Sequence, residues 1–117
     1  MKTAEVIAAL GALAHEHRLA IFRLLVQQGP AGLPAGGIGE RVGLVPSSLT
    51  FHLQSLQRAG LIRQTRSSRQ LIYSADYPAM NGLVDFLTNK CCAVSNERCD
   101  PSCVPRSSRP ARRRSAA

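Results

Sequence analysis

The first ninety residues of this 117-residue chain contain no cysteine; all four, Cys91, Cys92, Cys99 and Cys103, fall within the thirteen positions that follow. Scattered thiols that could staple a small core are therefore lacking. Thiols clustered in a reducing compartment serve metal binding or redox chemistry more often than disulfides. Long apolar runs are lacking too: the longest, "VIAALGALA" at residues 6–14, is about half of what a bilayer span needs, so no transmembrane helix and no membrane partner are expected. Lys2 followed by apolar residues ending in Ala-Leu-Ala imitates a secretory leader. Glu5 interrupts it, and Val6, Ile7, Leu10 and Leu13 fall at helical spacing, so an amphipathic helix and a cytoplasmic protein are the expectation. A Ser-His-Asp order, a Gly-rich phosphate loop and a carboxylate pair are also missing, which argues against an enzyme.

Acids are scarce, seven against fifteen Lys and Arg, for a formal charge of +8. The excess is uneven: residues 1–103 carry ten basic and seven acidic residues, whereas the last stretch, "VPRSSRPARRRSAA", carries five Arg and no acid. Its polar, Ser- and Pro-rich composition predicts a disordered tail over residues 104–117. The balance points to nucleic acid or another acidic surface as partner. Residues 1–90 are then expected to form a nucleic-acid-binding domain, with residues 91–103 as a cysteine-rich segment. A domain of about a hundred residues buries about two-thirds of its unfolded surface, so support from a dimer partner is unsurprising.

Periodicity orders the elements. After the first helix, "HEHRLAIFRLLVQQG" places Leu19, Phe22, Leu25 and Val26 on one stripe and ends at Gly29-Pro30. "AGLPAGG" reads as a loop, and a short helix over residues 38–42 closes at Gly43. "PSSLTFHLQSLQRAG" predicts a fourth helix, with Pro46 in its first turn, Leu49, Leu53 and Leu56 on one face and Gly60 past its end. "LIRQTR" and "QLIYSA", joined by a polar turn at residues 67–69, predict a hairpin. Pro78 opens a last helix, whose Met80, Leu83, Val84 and Leu87 run toward Cys91. This order, with "GLVP" as the short turn between the central helices, predicts a mainly α, α+β fold: a winged helix-turn-helix with a two-stranded wing.

With its leucines on one side, the fourth helix leaves Ser47, Ser48, Thr50, Phe51, Gln54, Ser55 and Arg58 on or near the other. Ser and Thr reach phosphates or base edges, Gln54 can pair bidentately with adenine, and Phe51 can meet a thymine methyl. Alone, such a face is what any solvated helix shows. The hairpin that follows adds Arg63, Arg66 and Arg69, placed near its tip by this reading, and a basic wing beside a polar helix is how phosphates are gripped while bases are read. His52 has no carboxylate nearby in sequence and reads as a packing or hydrogen-bonding residue. His15 and His17 read as exposed residues where the first two helices meet.

At "HEHRLAIFRLL" and "LTFHLQSLQRAGLI" the chain resembles the ArsR/SmtB family of bacterial metal-responsive transcriptional repressors, over roughly residues 3–90. The matching positions are Arg18-Leu19-Ala20-Ile21, at the start of the second helix, and His52-Leu53, Leu56 and Gly60-Leu61, along the recognition helix into the wing. The resemblance implies a homodimer, joined through its first and last helices, that sits on double-stranded operator DNA and is released by an inducer. Two of the family's usual sensing sites have no counterpart. The third helix, "PAGGIGERVG", holds no cysteine, and the last helix has Asp85 but no His. "NKCCAVSNERC" is similar instead to members that answer arsenite with adjacent cysteines at the end of the last helix and another a few residues on.

The resemblance thus implies Cys91, Cys92 and Cys99 as ligands of trivalent arsenic, inorganic or methylated, or of antimony, with Cys103 as an auxiliary and no organic cofactor. Neighbours on a helix diverge by about 100° yet can both reach one large soft ion at the helix end, and soft thiolates select soft metals. Lys90 and Arg98 place positive charge beside them. Two alternatives stay open: a redox-sensing repressor that pairs Cys91 or Cys92 with Cys99 or Cys103, and a DNA-binding module with a structural tetrathiolate zinc. Zinc ordinarily takes two to four intervening residues in its first cysteine pair, and Cys91 and Cys92 have none.

Overall fold

The computed structural model describes residues 1–94. Helix α1 (Thr3–Leu13) starts where Glu5 Oε1 accepts the Lys2 amide at 3.0 Å. It buries Val6 and Ala9, one turn apart, and leaves Ile7 and Leu10 exposed, so its inward stripe is narrower than the apolar spacing predicts. In α2 (Glu16–Gln28), His15 caps the first turn by accepting the His17 amide on Nδ1 at 3.1 Å. Ile21, Phe22 and Leu25 face the core, whereas Leu19, expected on that stripe, is exposed.

The segment predicted as a loop contains a two-residue strand, β1 (Leu33–Pro34). Gly32 makes it possible: its φ of 69° is left-handed, and a Cβ there would collide with the Tyr73 carbonyl. Pro34 lacks an N–H, which an edge position tolerates. Helix α3 (Ala35–Val42) begins three residues earlier than predicted, directly after Pro34, and takes Gly36 and Gly37 into its first turn. Packing on α2 and α4 overrides the poor helix propensity of glycine there.

Gly43, at φ 72°, ends α3 and donates to the Gly39 carbonyl at 2.9 Å; Leu44 donates to the same oxygen at 3.1 Å. Gly39 permits the tight corner, since a Cβ would stand 3.1 Å from the Leu44 carbonyl oxygen and 3.3 Å from a Leu49 methyl. Helix α4 (Pro46–Arg58) follows with Pro46 in its first turn and buries Leu49, Leu53 and Leu56. Gly60, at φ 78°, lets Leu61 donate back to Leu56, and the chain enters β2 (Ile62–Ser67). Antiparallel β3 (Gln70–Ala75) returns in a register that pairs Arg63 with Ser74 and Ser67 with Gln70. β1 pairs with the other side of β3, so the sheet has three strands in the order β1-β3-β2, one more than the wing requires. Helix α5 (Tyr77–Thr88) is capped by Asp76, whose Oδ1 accepts the Ala79 amide at 3.0 Å.

Met1–Leu83 form one compact unit, with Ile21, Leu25, Ile38, Leu53, Leu56 and Leu61 as its most deeply buried side chains. The second unit begins at Val84. Its described part carries the end of α5, where Thr88 Oγ1 donates to the Val84 carbonyl, and a series of turns through residue 94. Among the described residues no helix is long and apolar enough to cross a membrane. The fold is the winged helix-turn-helix that the order of elements predicts.

Candidate nucleic-acid interface and sulfur pair

Burying the leucines of α4 turns most of its other side chains outward, His52 excepted. Ser47, Ser48, Thr50, Phe51, Gln54 and Arg58 are exposed, and Ser55 is half-buried. Thr50 Oγ1 donates to the Pro46 carbonyl at 2.9 Å and Ser55 Oγ to the Phe51 carbonyl at 3.1 Å, so both hydroxyl protons are committed to the helix and each oxygen is left to accept. Phe51 is 58% exposed, so its ring is available on this face.

The hairpin turns through Ser68, at φ 56°, and Arg69, and Arg66 and Arg69 stand exposed at or beside the tip. Arg63 does not. It sits at the base of the wing, where its Nε donates to Asp76 Oδ2 at 3.1 Å, the one ion pair among the described residues. Thirteen residues separate the two in sequence, and the strand register brings them together.

His52 is the buried polar residue of α4, 7% exposed. Arg18 Nη1 donates to its Nδ1 at 3.4 Å, leaving the ring proton on Nε2. Arg18 is steered by the Ala12 carbonyl, which accepts from its Nε at 2.7 Å. Burial lowers the pKa of His52 below 6.5, and the positive charges of His15, Arg18 and His17 add to it. His15 is exposed at the junction of α1 and α2, as read from the sequence, while His17 is half-buried. The meeting of all three imidazoles has no sequence signal, because α2 and α4 lie far apart along the chain.

α5 ends at Thr88, so Cys91 and Cys92 stand in the turns beyond the helix rather than on it. The Cys91 amide donates to the Thr88 carbonyl at 3.1 Å, and Lys90 and Cys92 adopt left-handed φ of 55° and 62°. The two sulfurs lie 3.6 Å apart instead of diverging. Sulfur-to-metal bonds of about 2.3 Å meeting near 100° would span about 3.5 Å between sulfurs. Among the described residues no three His, Cys, Asp or Glu side chains gather around a metal position. Cys99, Cys103 and the Arg-rich tail lie outside the described residues.

A helix-turn-helix domain model matches residues 13–65, the span from the α1–α2 junction into the wing. The transcriptional activator HlyU of Vibrio cholerae is 27% identical over 93 residues, 80% of this chain and 83% of its own length. Its solved structure superposes with a TM-score of 0.59 at 29% identity, covering 74% of this chain and 97% of HlyU, and a structure of reduced HlyU gives 0.55. An ArsR-like transcriptional regulator from Rhodococcus sp. RHA1 superposes at 0.64, with 27% identity over 72% of this chain and 76% of the other. A predicted DNA-binding transcriptional regulator from E. coli is 34% identical, with a TM-score of 0.57 over 74% of this chain and 90% of that one.

Proposed function

Because the chain belongs to the ArsR/SmtB family of winged helix-turn-helix transcriptional regulators, and is a DNA-binding regulator rather than an enzyme, we propose that it is a cytoplasmic homodimeric repressor released from its operator by trivalent arsenic or antimony. The exposed face of α4 reads bases in the major groove, and Arg66 and Arg69 grip phosphates beside it. The observation that carries the inducer reading is the 3.6 Å approach of Cys91 and Cys92 Sγ at the end of α5. One soft ion spans that distance, Cys99 completes a three-sulfur pyramid, and Cys103 is auxiliary. Exposed Ile7 and Leu10 on α1 and, separately, Phe86 and Leu87 on α5 supply apolar surface for the partner protomer. Gathering the cysteine segment onto the end of α5 shifts that helix and tilts the paired recognition helices away from consecutive grooves. A coupling of about 1–3 kcal/mol, roughly 5- to 150-fold in affinity, is enough for a switch.

The test is binding to DNA from the protein's own promoter region, titrated in turn with arsenite, antimonite, zinc and cadmium. Arsenite and antimonite are expected to release the DNA; release by zinc alone, or unfolding on chelation, would assign the cysteines to zinc instead. A redox reading is supported by the likeness to HlyU, one of whose structures is of the reduced protein. In it, two thiols give two electrons and two protons to a peroxide, forming a disulfide and water. Release by peroxide with no response to arsenite would favour that reading.

A further inference from the structure

Every histidine of the chain meets in one place. His15 and His17 stand at the start of α2 and His52 lies in α4, with ring centroids 4.7 Å apart for His15–His52, 5.5 Å for His15–His17 and 5.6 Å for His17–His52. The Arg18 guanidinium is hydrogen-bonded into the same group. Four side chains that are cationic, or become so by taking a proton, therefore crowd one spot.

Among the described residues no carboxylate forms an ion pair with any of them. On α1, Glu5 is engaged with the Lys2 amide, seven residues before Ala12. On α2, Glu16 is exposed and makes no ion pair among the described residues, Arg23 adds no negative charge, and on α3 Glu40 is likewise exposed without an ion pair among them. On α4 the charged residue is Arg58, and Asp76 is paired with Arg63 at the base of the wing. The cluster also borders the surface that meets DNA: the exposed ring of Phe51 packs edge-on against His52 at 5.6 Å between centroids, and His15 is exposed beside them.

We propose that His15, His17 and Arg18, backed by His52, form a proton-operated contact to a phosphate of the DNA backbone. The phosphate brings the negative charge that the cluster lacks, an imidazole of His15 or His17 takes up a solvent proton, and the resulting imidazolium donates its N–H to a phosphate oxygen. His52, buried and hydrogen-bonded to Arg18, holds the guanidinium and the two outer rings in place. Binding that takes up a proton strengthens as pH falls, because mass action favours the protonated, phosphate-bound form. The inference rests on α4 being the helix that meets DNA, and it is independent of the inducer.

The experiment measures the Kd of the full-length protein for a random-sequence duplex of about 30 base pairs, since a phosphate contact does not depend on sequence. Between about pH 7.5 and pH 6.0 the affinity is expected to rise about three- to tenfold, and the salt dependence to steepen by about one unit. The variant His15→Asn with His17→Gln, in which Asn preserves the helix cap, is expected to lose both effects while keeping its circular dichroism. Unchanged pH dependence in that variant, or none in the wild-type protein, overturns the proton-operated contact and leaves the DNA-binding reading intact. Absence of DNA binding at both pH values overturns the two together.

Discussion

Burial and the neighbouring positive charges act on His52 in the same direction, holding its folded-state pKa below 6.5. As pH falls, the unfolded chain takes this proton before the folded one does. Stability from His52 is therefore complete above about pH 6.5 and declines as pH drops toward the lowered value. A thermal melt is expected to move to lower temperature between about pH 7.5 and 5.5, and His52→Gln to flatten that dependence. An equal loss in the variant would place the sensitivity elsewhere. At the sulfur pair, Cys91→Ser and Cys92→Ser are each expected to abolish release from DNA by arsenite, Cys99→Ser to weaken it greatly, and Cys103→Ser to leave it nearly intact. All four should still bind DNA, because none of these positions belongs to the face of α4. A full response in Cys91→Ser would remove the pair from the inducer site. The order of Cys99 over Cys103 comes from the family resemblance, since both lie outside the described residues.

The wing is the element whose charges divide by position. Arg66 and Arg69 are exposed at its far end, and replacing both with Ala should weaken binding to every DNA sequence and lower the salt slope by about one to two units. Arg63, tied to Asp76 at the base, should contribute much less to that slope. Asp76 in turn joins two elements, for its Oδ1 caps α5 while its Oδ2 holds Arg63. Asp76→Ala is expected to cost about 1–2 kcal/mol in chemical denaturation and Asp76→Asn appreciably less, because Asn still caps. Equal losses would show that the ion pair matters more than the cap. The elements readable in the sequence are those with a regular apolar period and a clear stop: α2 with Gly29, α4 with Pro46 and Gly60, and the two strands of the wing. The start of α3 was illegible because Gly36 and Gly37 suggest a loop, and only contact with α2 and α4 makes a helix of them. Strand β1 was illegible for a similar reason, since two residues carry no period and Gly32 becomes meaningful only once Tyr73 lies against it. Likewise the outward face of α4 follows from the spacing of its leucines, whereas the pairing of Arg63 and the gathering of the histidines depend on register and packing that no local stretch encodes.

For the whole molecule, the apolar residues left outside the core carry the expectation of a dimer. Ile7 is 65% exposed and Leu10 41%, on a helix whose buried side is already satisfied by Val6 and Ala9. Replacing both with Glu should give a monomer by light scattering and reduce operator affinity by more than tenfold, since each half-site would then be bound alone. A variant that remains dimeric would move the interface off α1. The sheet has a separate consequence for how molecules meet. With β3 in the centre and β1 covering part of its other side, β2 is an edge strand six residues long, and no strand among the described residues pairs with its outer side. Such an edge is a template for a strand from another molecule unless something repels it. After Ile62, β2 carries only polar side chains, with Arg63 and Arg66 among them, so two copies approaching edge to edge bring like charges together. Salt shortens the reach of that repulsion to about 3 Å at 1 M. Concentrated stocks should accordingly keep best at modest ionic strength, and storage in strong brine is where strand-to-strand aggregation would begin.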